Sequence, residues 1–282
     1  MPDGLHRLRR RDIGELVELL EKKPIENLFL LSRLVDGGFN IDRLGCCLYG
    51  YWSNGRLIDV CHDGVNIVLA SVNDELTDEA VGGFVRRLGP IRKASAIMGS
   101  STNVEKFFRT LASAWPRAWA RPREIRARQP LLAIGNTTLV AADERVCRIG
   151  PENYRPYFEA AVKMYTEELG LSPLDEFNSY QSYISRLIRQ GRSFGACEDG
   201  EVWFKTDIGC SYKSFCQIQG VWVAPELRGR GLGVGALAKV IELCALDYDV
   251  VSLYVNDYNT SARRLYEKVG FQEFGCLGTI LY

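Results

Sequence analysis

The stretch ELRGRGLGVGAL at 226–237 constrains this chain most, because it places four glycines and two arginines between a predicted strand and a predicted helix. Small residues there let the backbone turn tightly, so that several N–H groups point the same way at a helix N-terminus. The helix dipole adds positive potential, and arginines at the rim add charge-assisted hydrogen bonds. The stretch therefore predicts a phosphate cradle and leaves open which phosphate compound it holds.

Two familiar phosphate loops fit this stretch poorly. A Walker A loop needs the spacing G-x-x-x-x-G-K-[ST], and no Lys-Ser or Lys-Thr pair follows here. Gly231, Gly233 and Ala236 do spell the Rossmann pattern G-x-G-x-x-A, but in that fold the first glycine closely follows its strand. Here APELR separates Val223 from Gly229, and only one further strand–helix unit follows. A dinucleotide fold needs more parallel strands than that.

The whole chain reads as two halves with one order of elements: two helices, three strands, a helix, a strand and a helix. The turn dipeptides Asn54–Gly55 and Asp199–Gly200 predict a hairpin in each half. Residues 116–145, with prolines and an arginine cluster, are predicted to connect the halves and to contain one strand, PLLAI. Where the second half has its glycine–arginine loop, the first has NDELTD. The pattern indicates a duplication in which only the second copy kept a phosphate cradle.

Composition excludes several classes of function. Thirty-five basic residues balance thirty-five acidic ones, which argues against general attraction to nucleic acid or to an anionic membrane. No apolar run reaches membrane-spanning length, and the charged N-terminus lacks the apolar region of a secretory signal. The nine cysteines are scattered and there are two histidines, so a Cys/His metal site is not expected. We expect a cytoplasmic protein with reduced thiols.

Two motifs in order resemble the GNAT N-acetyltransferases. Arg228, Gly231 and Gly233 spell [QR]-x-x-G-x-[GA] after a strand that ends in VWV, and LYVNDYNTSARRLYEKVGF at 253–271 is similar to the strand–helix signature of that family. The layout also resembles actinobacterial two-module GNAT proteins. The resemblance implies an α/β (α+β) fold with two GNAT-like modules in tandem, each a mixed, mostly antiparallel sheet flanked by helices. It implies a degenerate N-terminal domain at 1–135, a linker at 136–146 and a catalytic domain at 147–282.

The function that this resemblance implies is transfer of an acetyl group from acetyl-CoA to a primary amine, by direct attack in a ternary complex and without a metal. The acceptor stays open between a small molecule, a peptide N-terminus and a lysine, and a homodimer is an arrangement left open. The alternative is a non-catalytic acyl-CoA-binding sensor or scaffold. It is kept because Gln217 and Gln219 stand where many members of the family carry a glutamate base.

The implied acyl-CoA contacts lie on the strand end, the loop and two helix starts: Val221, Val223, Arg228, Gly229, Arg230, Gly231, Leu232, Gly233, Val234 and Asn259. Asn259 is equally suited to an N-cap. Tyr266 is implied as the general acid for the CoA thiolate, although its helix face is also that of a core residue. Glu167 and Glu168 are the first candidates for the general base and Asp207 is the next. A solvated helix end explains the two glutamates equally well.

Overall fold

The computed structural model describes residues 2–282, which form nine α-helices and twelve strands. The helices are α1 Ile13–Glu21, α2 Leu28–Asp36, α3 Asp78–Leu88, α4 Ser101–Ala114, α5 Pro116–Trp119, α6 Tyr154–Leu169, α7 Ser179–Arg189, α8 Leu232–Cys244 and α9 Thr260–Val269. The strands are β1 Gly4–Arg7, β2 Cys47–Ser53, β3 Arg56–Asp63, β4 Asn66–Ser71, β5 Ala96–Ser100, β6 Glu124–Ile134, β7 Cys147–Arg148, β8 Ser193–Glu198, β9 Glu201–Tyr212, β10 Phe215–Val223, β11 Val250–Tyr254 and β12 Gln272–Leu281. Across residues 2–282, no helix is both long enough and apolar enough to cross a membrane.

Local signals placed the turns and helix ends correctly. Asn54 and Gly55 have φ of 52° and 70°, and Asp199 and Gly200 have 51° and 80°, as a two-residue hairpin turn of type I′ requires. Gly170 ends α6 in the left-handed conformation at φ 68°. These features depend on a few neighbouring residues, which is why the sequence predicted them.

The segment 116–145 differs from its prediction. It contains the short helix α5 and a strand of eleven residues, β6, where only PLLAI was expected. β1 was also not predicted, because its four residues carry no apolar alternation of their own. They become a strand by pairing with β2, Leu5 opposite Tyr51 and His6 opposite Gly50.

The chain forms two compact units, one of residues 2–131, 254–258 and 274–282 and the other of residues 132–253 and 259–273. The first unit holds strands in the order β1-β2-β3-β4-β5-β12-β6. Pairing is antiparallel from β1 to β4, parallel between β4 and β5, and antiparallel between β5 and β12. The core packs α3 and α4 against this sheet around Phe84, Phe107 and Trp119, each at most 1% exposed.

The C-terminal strand belongs to the first unit. β12 pairs with β5, with Ile280 opposite Ile97 and Gly278 opposite Gly99. Ile280 is 2% exposed and lies in the core of that unit. Each unit therefore combines segments that are separated in the sequence, whereas the predicted domains are continuous segments. The predicted domain boundaries stay a prediction.

The second unit repeats the arrangement with strands in the order β11-β10-β9-β8-β7. β7 to β10 pair antiparallel, and β10 pairs with β11 in parallel. α6 contacts β9 and β10, while α8 contacts α9. The predicted fold class, two similar modules with mixed and mostly antiparallel sheets flanked by helices, is confirmed.

Candidate functional site

Strands β10 and β11 diverge in the second unit. Their parallel register runs from Phe215↔Val250 to Gln217↔Ser252 and ends there, although β10 continues to Val223. On its other edge β10 stays paired with β9, through an irregularity between Gln219 and Trp222. In its second half, β10 is thus paired with β9 on one edge and lies past the end of its pairing with β11 on the other. An extended ligand can form backbone hydrogen bonds with that second edge.

The glycine loop opens at the end of β10, and its local geometry fits an anion. Gly229 and Gly231 have φ of 75° and 80°, and an ideal Cβ on either would meet no atom within 4 Å. α8 begins directly afterwards, so the N–H groups of its first turn lack partners within the helix. Two N–H groups of the predicted span are already used, that of Arg228 by Pro225 O at 3.3 Å and that of Val234 by Gly231 O at 3.1 Å. The N–H groups of 229–233 are the remaining candidate donors.

Gly233 has a packing role that the motif did not reveal. An ideal Cβ there would lie 2.9 Å from Leu265 Cδ1 and 3.1 Å from Val223 Cγ2. The absence of a side chain therefore lets the first turn of α8 approach both α9 and the end of β10. This contact holds the loop beside the diverging strands.

The predicted base candidate Glu167 is held by the loop arginine. Arg228 donates from both terminal nitrogens to the Glu167 carboxylate, the longer bond measuring 2.8 Å, and its Nε donates to Val223 O at 2.9 Å. Trp222 Nε1 donates to the same carboxylate at 3.2 Å. The guanidinium lowers the pKa of Glu167. A carboxylate engaged in this way is a weak proton acceptor.

Tyr266 lies on α9 with its ring 7% exposed and edge-on to Phe271 at 5.9 Å between centroids. Its hydroxyl has no hydrogen-bond partner among residues 2–282. Burial, and secondarily the charge of Glu168, raise the pKa of Tyr266. The phenol therefore stays protonated at neutral pH, and Glu168 is close enough to influence it electrostatically.

Asn259 caps α9, since its Oδ1 accepts a hydrogen bond from Ala262 N at 3.1 Å. Its side-chain amide NH₂ is the group that remains for a ligand. Val221 and Val223 are partly exposed on the second half of β10. The sequence-predicted residues thus follow one another along β10, the loop and the first turn of α8, with Asn259 at the start of α9.

Strand β9 carries a buried ion pair that the sequence motifs did not reveal. Lys205 and Asp207 on β9 are 0% and 2% exposed, and Nζ lies 2.7 Å from Oδ2. Asp207 Oδ1 also accepts from Tyr157 OH at 2.8 Å and Ser193 Oγ at 2.6 Å. Such burial removes Asp207 from contact with an acceptor amine, so its candidacy as a base is not supported. The signal was available in principle, because residues two apart on an otherwise apolar strand share one face.

The ion pair lies against the irregular part of β10. Gly220 has φ of 61° within the irregularity between Gln219 and Trp222, and an ideal Cβ there would lie 3.2 Å from Lys205 Nζ. Thr206 Oγ1 donates to Gln219 O at 2.9 Å. The Gln219 side chain in turn donates to Tyr183 OH on α7. Gln219 therefore serves as a structural hydrogen-bond donor beside the bulge.

Side chains occupy several backbone donors in the corresponding loop of the first unit. Asn103 Oδ1 accepts from Leu76 N at 2.7 Å, and Asp59 Oδ2 accepts from Thr77 N at 3.1 Å. Thr77 in turn caps α3, its Oγ1 accepting from Ala80 N at 3.3 Å. These side-chain acceptors distinguish this loop from the glycine loop of the second unit. The loss of an acyl-CoA site from the N-terminal module stays a prediction.

The diverging strands and the open glycine loop at a helix N-terminus lie in the part of the chain that matches a known family. Residues 154–271 match the acetyltransferase (GNAT) family, and residues 46–157 match a domain of unknown function, DUF4081. The GNAT acetyltransferase fold supports acyl transfer in general.

Solved structures show the same fold over nearly the whole chain. An acetyltransferase of the GNAT family from Colwellia psychrerythraea is 14% identical, with 99% of each chain covered and a TM-score of 0.58. A GCN5-related N-acetyltransferase from Sphaerobacter thermophilus is 14% identical, with 98% of this chain and 94% of that chain covered and a TM-score of 0.63. A tandem GNAT protein from the clavulanic acid biosynthesis pathway is 13% identical, with coverages of 98% and 97% and a TM-score of 0.55. At these identities the likeness concerns the fold, and the tandem arrangement agrees with the prediction.

Proposed function

We propose that the second unit is an acyl-CoA-dependent N-acyltransferase that acetylates a primary amine from acetyl-CoA. One observation carries this proposal: the half-open edge of β10, the donors at 229–233 and the buried Tyr266 on α9 all belong to this unit. When bound, acetyl-CoA supplies an activated acyl thioester. The N–H groups of 229–233 bind its pyrophosphate, and the backbone of Val221 and Val223 pairs with the pantetheine arm.

The roles of the side chains follow from their protonation and contacts. An N–H near Val223 polarises the thioester carbonyl while the neutral amine attacks it directly. Tyr266, which its environment keeps protonated, donates its proton to the departing thiolate. Since both oxygens of Glu167 are engaged, Glu168 is the better of the two base candidates, and Glu167 positions Arg228.

A non-catalytic acyl-CoA sensor remains the second candidate, and one observation favours it. Gln217 and Gln219 provide no carboxylate on β10, and the carboxylate of Glu167 is paired with Arg228. The nine cysteines are free thiols, which supports a reducing compartment such as the cytoplasm for either function.

Binding is tested by calorimetry with acetyl-CoA on Gly231→Val and on the matched control Gly200→Val. Both glycines have φ of 80° and open space around an added Cβ, so both substitutions impose the same backbone strain. Only Gly231 lies at the start of α8. We expect acetyl-CoA binding to be lost in Gly231→Val and kept in Gly200→Val. Equal affinities in the two variants would contradict the loop assignment.

Catalysis is tested by release of CoA with a panel of amines, peptides with free N-termini and lysine derivatives. Tyr266→Phe removes the proton donor and keeps the ring, so it should lower kcat about 10²-fold or more with little change in acetyl-CoA affinity. Binding without turnover, unaffected by the substitution, would establish the sensor instead.

A further inference from the structure

A cavity in the first unit lies away from the loop that corresponds to the proposed acyl-CoA cradle. Its volume is about 900 Å³, within the range of small-molecule sites. It opens at the end of the sheet where β1 and β3 finish and β2 and β4 begin. The loop after β4 corresponds to the glycine loop of the second unit, and it lies at the opposite end of these strands.

Cationic side chains from two distant parts of the sequence line this cavity. Arg7, Arg9 and Arg10 come from the end of β1 and the turn after it, and Lys93 comes from the approach to β5. Arg7, Arg10 and Lys93 form no side-chain hydrogen bond or ion pair with any residue of 2–282. By contrast, Arg126, Arg145 and Arg228 elsewhere in the chain are engaged by carboxylates.

The acidic side chains of the cavity do not balance these cations. Asp42 and Asp63 are the two carboxylates in the lining, against three arginines and one lysine. The whole chain has no net charge, so this excess of positive charge is local. Clustering like charges around a concave surface is unfavourable unless an anion compensates them.

The floor of the cavity is apolar. Leu8 and Ile41 are 2% and 5% exposed, and burial raises the pKa of the Cys46 thiol to about 11, so this group is neutral. An apolar floor with a few charged groups at the rim is the usual construction of a small-molecule site. A smaller cavity of about 360 Å³ shares Arg7 and Arg9 and is also lined by His6 and by Arg11, which is paired with Asp12.

We propose that this cavity binds a small organic anion with at least two phosphate or carboxylate groups. The guanidinium groups of Arg7, Arg9 and Arg10 hold one anionic group in bidentate fashion, and Lys93 holds another across the opening. The carbon skeleton of the ligand rests on Leu8 and Ile41. The site gives the N-terminal unit a ligand of its own, separate from the acyl-CoA site.

The test is calorimetric titration of the full chain with pyrophosphate and, separately, with citrate, in low-salt buffer free of phosphate. The test variant is Arg10→Gln with Lys93→Gln, and the matched control is Arg117→Gln, an exposed arginine outside the cavity. Gly231→Val serves as a second control, because it impairs the cradle of the other unit.

We expect saturable binding of at least one probe, and the probe that binds distinguishes phosphate from carboxylate ligands. The double variant should raise the Kd at least about tenfold, since each charge-assisted hydrogen bond lost weakens binding by about that factor. Arg117→Gln should bind like the parent protein, and Gly231→Val should retain the binding that the double variant loses. No saturable binding of either probe in the millimolar range, or equal affinity in the double variant, overturns the proposal. Loss of binding in Gly231→Val assigns the anion to the cradle and also overturns it.

Discussion

Replacing Lys205 by Met tests the buried ion pair beneath the bulge of β10. Methionine has a similar volume and no charge, so the substitution removes the ammonium without opening a large cavity. Asp207 keeps two neutral donors, Tyr157 OH at 2.8 Å and Ser193 Oγ at 2.6 Å, but loses its counter-ion at 2.7 Å. At side-chain exposures of 1% and 2% for Lys205 and Asp207, water cannot replace the ammonium.

The expected loss follows from this burial. Breaking a buried pair by removing one partner costs about 3–5 kcal/mol, because it leaves an uncompensated charge. The two remaining donors place Lys205→Met towards the lower end of that range. With a change of about 2–4 °C per kcal/mol, the melting temperature should fall by about 6–20 °C.

The assay is scanning calorimetry on the full chain, with Lys205→Met, Asp207→Asn and the double variant. The double variant carries neither charge, so it should be more stable than the sum of the two single losses predicts. A melting temperature of Lys205→Met equal to that of the parent protein would refute the reasoning. So would strict additivity in the cycle, because it would mean that the two side chains do not interact.

Three further predictions concern the site and the thiols. Gly233→Val should destabilise the protein by about 1–3 kcal/mol in chemical denaturation, because its Cβ would meet Leu265 and Val223 at 2.9 and 3.1 Å; unchanged stability would mean that α8 can shift freely. Arg228 lowers the pKa of Glu167 below its ordinary 4.5, so the stability that the ion pair adds is present above that pH and is lost as pH falls through the lower folded-state value. The difference in the free energy of unfolding between the parent protein and Glu167→Gln should therefore be constant down to about pH 5 and shrink below it. A difference that does not change with pH would contradict the pairing. Iodoacetamide should alkylate the exposed Cys147 well before Cys46, whose pKa burial raises to about 11, and mass spectrometry of digests checks the order.

Much of the fold was predictable where neighbouring residues act alone. The hairpin turns at Asn54–Gly55 and Asp199–Gly200 and the cap at Gly170 were all predicted from short patterns. The glycine loop was placed between its strand and helix in the same way. β6 was predicted too short because only its last five residues, PLLAI, form a continuous apolar run, and the rest become a strand by pairing with other segments.

The sequence named residues for the candidate site, whose roles stay predictions, and it did not reveal their contacts. The sequence named Glu167 and Arg228 separately, and the structure joins them in one ion pair across sixty-one positions. Asp207 was a reasonable candidate base by residue type, but folding enclosed it with Lys205. The pair Glu167–Arg228 links distant segments of the chain. The burial of the pair Lys205–Asp207 depends on what packs over strand β9.

The sequence by itself determined the local features of this protein: a glycine loop between a strand and a helix, a tyrosine on the later helix α9, and a second module without that loop. Only the tertiary structure decided which of these groups are available. It turned Arg228 back onto Glu167, closed the loop of the first unit with Asn103 and Asp59, and carried β12 to β5. The physical reason is that backbone conformation responds to adjacent residues, whereas burial and pairing depend on segments that meet only when the chain is folded.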